Sequence, residues 1–149
     1  MEDPEMRRKY FLALFTEKTW NEFCAQKKKI YGTSKNKLSR ATVLIKGDFL
    51  LCYVSKKKEF VGILQVISES YYNESEIWED QIFPVRVDVK PILIFPLDHG
   101  IPVSNFFEDL TIFKKLKNKK NWSGFFHNTF NQFPDEDGKV IFNKFKKIK

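Results

Sequence analysis

Residues 49–70 read FLLCYVSKKKEFVGILQVISES, and the fold turns on how this stretch is read. Residues 49–54 are an unbroken apolar run of strand length, which fits a strand buried on both faces. Residues 55–59 follow as a lysine-rich hairpin loop. Residues 60–67 form a second strand, with Gly62 inside it, and residues 68–70 are a polar exit. Two apolar strands joined by a short basic turn begin an antiparallel sheet.

The pattern extends in both directions. Residues 10–15, YFLALF, are another apolar run of strand length. Thr16 suits a helix N-cap, and Trp20, Phe23 and Cys24 then fall on one helical face, with Trp20 read as core. Residues 28–37, KKIYGTSKNK, read as a loop that sets Tyr31 among lysines. Lys46-Gly47-Asp48 is a turn into the strand at 49. Downstream, Val85, Val87 and Val89 alternate with Arg86 and Asp88, predicting a strand with one wet face. Residues 92–95 predict a further strand that Pro96 stops. Beyond it the pattern turns helical and ends with Asp135 as a cap before Val140, Ile141, Phe145 and Ile148 on one stripe. The fold class is α+β, a bent sheet or small barrel flanked by helices. Residues 1–149 form one domain without repeat or linker.

Composition narrows the function. Of the 149 residues 42% are apolar and 16% aromatic, enough for a core. The formal charge of +7 and a pI near 9.3 favour an anionic partner, nucleic acid first and a membrane surface second. No apolar run approaches the roughly 20 residues of a membrane span. Cys24 and Cys52 sit in apolar patterns and read as reduced, so the expected location is the cytoplasm. The two histidines, His99 and His127, do not cluster with cysteine as a zinc site requires. No glycine loop is built to cradle phosphate, and the acidic run at 74–80 reads as a solvated loop. The expectation is a binding module, with no catalytic residue, metal or cofactor.

These motifs, in this order, resemble one family. Residues 49–70, with IYGTSKN before them and FPVRVDVKP after them, look like the EVE domain, a PUA-like fold akin to the YTH readers of methylated adenine. NKKNWSGFF at 118–126 and FPDED at 133–137 resemble the C-terminal part of EVE domains. The similarity runs from about Tyr10 to Phe145. It implies a reader that flips a modified base into an aromatic-walled pocket. N6-methyladenine in DNA is favoured, with modified cytosine the other candidate base. It further implies an N-terminal specificity domain of a larger protein, fused or bound to a restriction motor or nuclease. The alternative is a PUA-like module that binds RNA or a modified RNA base. A third class is an interaction domain whose basic face meets acidic protein.

The resemblance also assigns residues. Tyr31-Gly32-Thr33 stands where YTH readers place a tryptophan wall, so Tyr31 is the expected first wall, with Gly32 and Ser34 beside it. Trp78 is the expected second wall. Thr16 and Glu17, at the end of the first strand, would meet the base edge. Ile101-Pro102-Val103-Ser104 resembles a segment leading to an acidic contact, which suggests Glu108 or Asp109. Trp122 is the candidate for the rim. Lys28, Lys29, Lys35, Lys37, Arg40, Lys119 and Lys120 would hold phosphates. With four arginines in the chain, lysine contact with phosphates plus one pocket fits better than reading base edges in a groove. The plainer alternatives stay open: Tyr31 as the edge of the core, Trp78 packed on the sheet, Trp122 as core, and the lysine runs as solvated surface.

Overall fold

The computed structural model describes residues 8–26, 29–79 and 82–148. Its first strand, β1 (Tyr10–Phe15), runs parallel to β3 (Phe49–Val54), with Tyr10 opposite Phe49 and Phe15 opposite Val54. Between them lie α1 (Glu17–Ala25), β2 (Ile30–Thr33) and the single turn α2 (Leu38–Ala41). β3 pairs antiparallel with β4 (Glu59–Val66), as the apolar runs predict. After β4 come β5 (Tyr71–Tyr72), β6 (Val85–Ile94), β7 (Ile101–Pro102), the turn α3 (Thr111–Lys114), β8 (Gln132–Phe133) and α4 (Asp135–Ile148). The eight strands form one curled half-barrel in the order β2-β6-β4-β3-β1-β8, with β5 beside β6 and β7 beside β4.

Alternation along the strands makes two cores, one on each face of the sheet. Phe11, Ala13 and Phe15 of β1 point into a core with Trp20, Phe23, Tyr31 and Trp78. Tyr10 and Leu12 point into the other, with Phe60, Phe113, Phe126 and Phe145. α1 closes the first core. Thr16 and Thr19 exchange a reciprocal capping box, worth about 1 kcal/mol. Trp20 is fully buried, and its Nε1 donates to Phe95 O at 3.0 Å. Gly62 makes room for that indole, because a Cβ there would stand 3.0 Å from the Trp20 ring. α4 closes the second core through Ile141 and Phe145.

Several expectations need correction. The strand expected through Val85, Val87 and Val89 and the one expected at 92–95 are one strand, β6; the register against β4 shifts between Ile63 and Leu64, so Ile92 bulges out and Pro91 lies exposed. Arg86, expected on the wet face of that strand, is buried. Tyr31 lies in β2, paired with Val87 of β6, and not in a loop. Asp135 opens α4 as its first residue, where it and Glu136 suit the positive end of the helix dipole. The buried stripe of α4 is narrower than expected, since Val140 and Ile148 are exposed. The helical pattern expected after residue 100 is broken into 3-10 turns and α3 before α4.

Candidate nucleic-acid interface

Phe15 is the hub of the aromatic cluster at the end of β1. Its ring lies 4.9 Å from Trp20, 5.1 Å from Tyr31, 5.5 Å from Phe23 and 5.9 Å from Trp78. Thr16 and Glu17 follow it directly, so the start of α1 borders the cluster. Thr16 Oγ1 is engaged with Thr19 in the cap. Beside Glu17 and Glu59, Lys57 pairs with Asp98 at 2.9 Å, and the Asp98 carboxylate raises the lysine pKa.

Tyr31 is 1% exposed, which settles its burial. Its hydroxyl donates to Leu14 O at 2.9 Å and stands 2.7 Å from Thr129 Oγ1, and Leu14 N donates to Thr129 Oγ1 at 3.0 Å. Burial pushes the phenol pKa well above its usual value. Phe130 meets the Tyr31 ring edge-on at 5.6 Å. Phe130 also holds φ at 66°, a left-handed backbone that costs a bulky residue about 1–3 kcal/mol. The fold holds a strained aromatic against the candidate wall.

Trp78, 3% exposed, meets Tyr31 at 6.2 Å with the planes at 63°. The structure therefore brings the two expected walls together. They touch edge-on and fill the space between them, so they do not face each other across a gap. Three side chains hold the segment that carries Trp78. Gln26 Nε2 donates to Ile77 O at 2.7 Å, and Glu79 N donates to Glu22 Oε2 at 2.8 Å. Glu22 Oε1 is buried without a hydrogen-bond partner. Arg86, 2% exposed, donates from Nε to Phe83 O and from its two terminal nitrogens to Ser75 Oγ and Ser75 O. Desolvation lowers the pKa of this guanidinium. Gly32 lies beneath the same segment: a Cβ there would stand 2.6 Å from the Ile77 Cδ1 tip and 3.1 Å from Phe83 O, so a larger residue would push the segment outward.

The remaining expected residues divide between two places. Ser34 and Lys35 follow β2, with Ser34 Oγ donating to Asn36 Oδ1. Lys37 Nζ reaches Asn128 Oδ1 at 2.8 Å and Arg40 reaches Asn131 at 2.5 Å. Both cations thus staple α2 to the segment that carries Thr129 and Phe130. Lys29 is exposed at the start of β2, and Lys28 lies outside the described residues. Glu108 and Trp122 do not join Tyr31 and Trp78. They line a separate cavity with Phe107 and Phe113, which belongs to the core on the opposite face of the sheet. Lys119 caps α3 there by donating to Phe113 O and Lys114 O, and Lys120 is exposed beside it. The division follows the sheet: the 106–126 segment packs on the face that carries Tyr10 and Leu12, and Tyr31 and Trp78 pack on the face that carries Phe11 and Phe15.

Sequence reasoning missed four contributors: Phe15 as hub, Thr129, Phe130 and Arg86. The one hint at the second and third was the pair Asn128 and Asn131, turn-forming residues that bracket them. Among the described residues no group of His, Cys, Asp and Glu could hold a metal, and no helix is long and apolar enough to cross a membrane.

The curled sheet with its flanking helices places the chain among PUA-like α+β domains. The EVE domain profile matches residues 9–143, and the chain belongs to the EVE family. It is similar in structure to the YTH domain of Zygosaccharomyces rouxii MRB1 in complex with N6-methyladenosine RNA (TM-score 0.68, 15% identity, 97% of this chain and 90% of that one). It is also similar to the YTH domain-containing protein mmi1 in an RNA complex (0.67, 16%, 99% and 89%). Rpa0253 from Rhodopseudomonas palustris is a third neighbour (0.65, 16%, 95% and 95%). At these identities the likeness is one of fold. No curated protein matches the chain significantly.

Proposed function

We propose that this domain reads a modified base in nucleic acid, with the aromatic cluster of Phe15, Tyr31, Trp78 and Phe130 as its recognition site. The observation that carries this reading is the meeting of Tyr31 and Trp78 at the end of β1 in an EVE domain. To bind, the Trp78 indole turns aside and the flipped base takes its place against Tyr31. Hydrogen bonds worth about 0.5–1.5 kcal/mol net each hold the backbone of the segment that carries Trp78, and the indole packs on Phe15, Tyr31 and Phe83. A base stacked on Tyr31, at about 1–3 kcal/mol, replaces ring contacts that the indole gives up. Thr16 and Glu17 offer polar groups to the base edge. Glu22 Oε1, whose partner oxygen binds the residue after Trp78, is a ready acceptor for an N–H. Lys29, Lys35 and the cations around α2 meet the phosphates.

N6-methyladenine in DNA is the favoured target, since EVE membership fits the specificity domain of a modification-dependent restriction protein acting in the cytoplasm. The RNA reading has its own support, because the MRB1 YTH neighbour is bound to N6-methyladenosine RNA. Competition binding tests both, using DNA and RNA oligonucleotides of one sequence with and without N6-methyladenine. A preference for methylated over plain strands is expected, with DNA ahead of RNA. Equal affinity for methylated and plain strands overturns the reader; RNA ahead of DNA replaces the favoured polymer.

A further inference from the structure

The cavity lined by Phe107, Glu108, Phe113, Leu116, Lys119 and Trp122 measures about 250 Å³ and lies on the face of the sheet away from Tyr31. It is built in advance. The Asp137 carboxylate, itself 1% exposed, accepts from Thr111 N, Thr111 Oγ1 and Ile112 N at 2.8–3.1 Å and pins the start of α3. Lys119 pins its end through the carbonyls of Phe113 and Lys114. Phe113 stacks on buried Phe126 with the planes 24° apart. Phe107, 38% exposed, meets Phe113 edge-on at 5.1 Å and Trp122 at 5.4 Å.

We infer that this cavity docks one large apolar side chain, leucine or phenylalanine, carried on an acidic segment of a partner protein. The lining is hydrocarbon except for Glu108 and Lys119, and the Lys119 ammonium already donates to two carbonyls. A nucleobase would leave most of its edge groups without partners there, a penalty a hydrocarbon side chain avoids. The volume suits one side chain, being below the roughly 300 Å³ at which sites for larger small molecules begin. Charge selects what flanks the anchor. Exposed Lys114, Lys115, Lys117 and Lys120 adjoin the lining residues Phe113, Leu116 and Lys119 in the chain and outnumber the carboxylates of Glu108 and Asp109 there, so flanking carboxylates are attracted. A second copy of this chain carries the same lysines and a charge of +7, which sets it against itself.

The test titrates the full chain with short synthetic peptides and follows the Trp122 indole N–H by NMR. The probes are a phenylalanine flanked by Asp and Glu, the same peptide with alanine for phenylalanine, the phenylalanine flanked by Lys, and a single-stranded oligothymidine. The acidic phenylalanine peptide is expected to move the Trp122 signal and to bind about ten- to a hundredfold tighter than its alanine form, as burial of one large side chain implies. Lys115→Glu with Lys117→Glu should weaken it several-fold at low salt. Phe107→Ala, at a half-exposed position that spares the fold, should abolish the Trp122 shift while the melting temperature stays near native. If the oligothymidine moves Trp122 at lower concentration than the acidic peptide, the cavity is a base site and the inference fails. Equal binding of the Lys-flanked peptide, or Phe107→Ala without effect, also overturns it.

Discussion

The two faces of the sheet are both lined with packed aromatic rings, yet they differ in how far polar bonds at the ring ends add to that packing. On the Tyr31 face polar bonds join the ring contacts around Phe15: the Tyr31 hydroxyl reaches Leu14 O, the Trp20 indole reaches Phe95 O, and Arg86 grips the segment that carries Trp78. On the Phe126 face rings hold rings. Phe126 touches Tyr53 at 4.5 Å, Phe125 at 5.5 Å and Phe60 at 5.9 Å, all within the core. Hydrogen bonds are directional and individually modest, so they can be exchanged for bonds to a ligand. Packed rings lose all their dispersion contacts at once when one is removed. On this contrast the first face is the one expected to rearrange and the second to stay.

Truncating the anchor of the rigid face tests this most severely. Phe126→Ala should cost about 3–5 kcal/mol of stability, the range for a buried Phe→Ala cavity, read from chemical denaturation. A cost below about 1 kcal/mol would mean that this face also rearranges. Next comes the clamp of the other face. Arg86→Leu takes the donor from half-buried Phe83 O and frees exposed Ser75 to bond water, and should cost about 1–3 kcal/mol. It should also lower the ratio of modified to plain affinity, because Trp78 loses its anchor. Arg86→Lys keeps the charge but loses the fork of donors, so it should recover stability only in part. If Arg86→Leu leaves that ratio intact, the guanidinium serves the fold alone.

How much of this the sequence carried depends on the range of each interaction. The strands at 10–15 and 49–54, the hairpin between 54 and 59, and the Thr16 cap rest on local patterns, and they are where the residues suggest. Tyr31 and Trp78 came together because the family resemblance supplied a contact 47 positions apart, from 31 to 78. Glu108 and Trp122 were placed with them, although their segment packs on the opposite face of the sheet, a long-range choice with no local pattern. Arg86 misled because period-two patterning presents a charged residue as solvent-facing. A charge buried on carbonyls from a neighbouring loop leaves no local trace. Phe130 was invisible for the same reason, since its left-handed backbone is set by contacts with Leu12 and Tyr31.

A subtler difference between the faces appears at high pH. Burial pushes Tyr53 on the Phe126 face to about 12 and Tyr71 in β5, which also bonds Asp88, to about 12, and it pushes Tyr31 higher still. A raised folded-state pKa favours the neutral phenol, so the stability involved is complete below the unfolded value near 10. It is lost as pH rises through the folded values, at up to about 1.4 kcal/mol per pH unit for each linked tyrosine. Denaturation midpoints should therefore fall from pH 10 to 12. Tyr31→Phe should cost about 1–2 kcal/mol at neutral pH, from the lost hydroxyl bonds, and should make the alkaline fall shallower. An unchanged slope would show that Tyr31 ionises no harder folded than unfolded.

The smallest effect distinguishes surface charge from the site. Lys35 is exposed beside the Tyr31 strand, whereas Lys37 is held by Asn128 at 2.8 Å. A phosphate contact releases counterions, which adds about 0.7–0.9 to the slope of log affinity against log salt. Lys35→Ala should lower that slope by up to this amount and weaken methylated and plain strands alike, leaving their ratio unchanged. Lys37→Ala should do the same and also loosen the 128–131 segment, whose Thr129 and Phe130 touch Tyr31, so a small drop in the ratio is expected. Measuring both variants over a salt series separates the two roles. If Lys35→Ala changes the ratio and Lys37→Ala does not, the Asn128 staple plays no part in holding the aromatic wall, and Lys35 contacts the modified nucleotide itself.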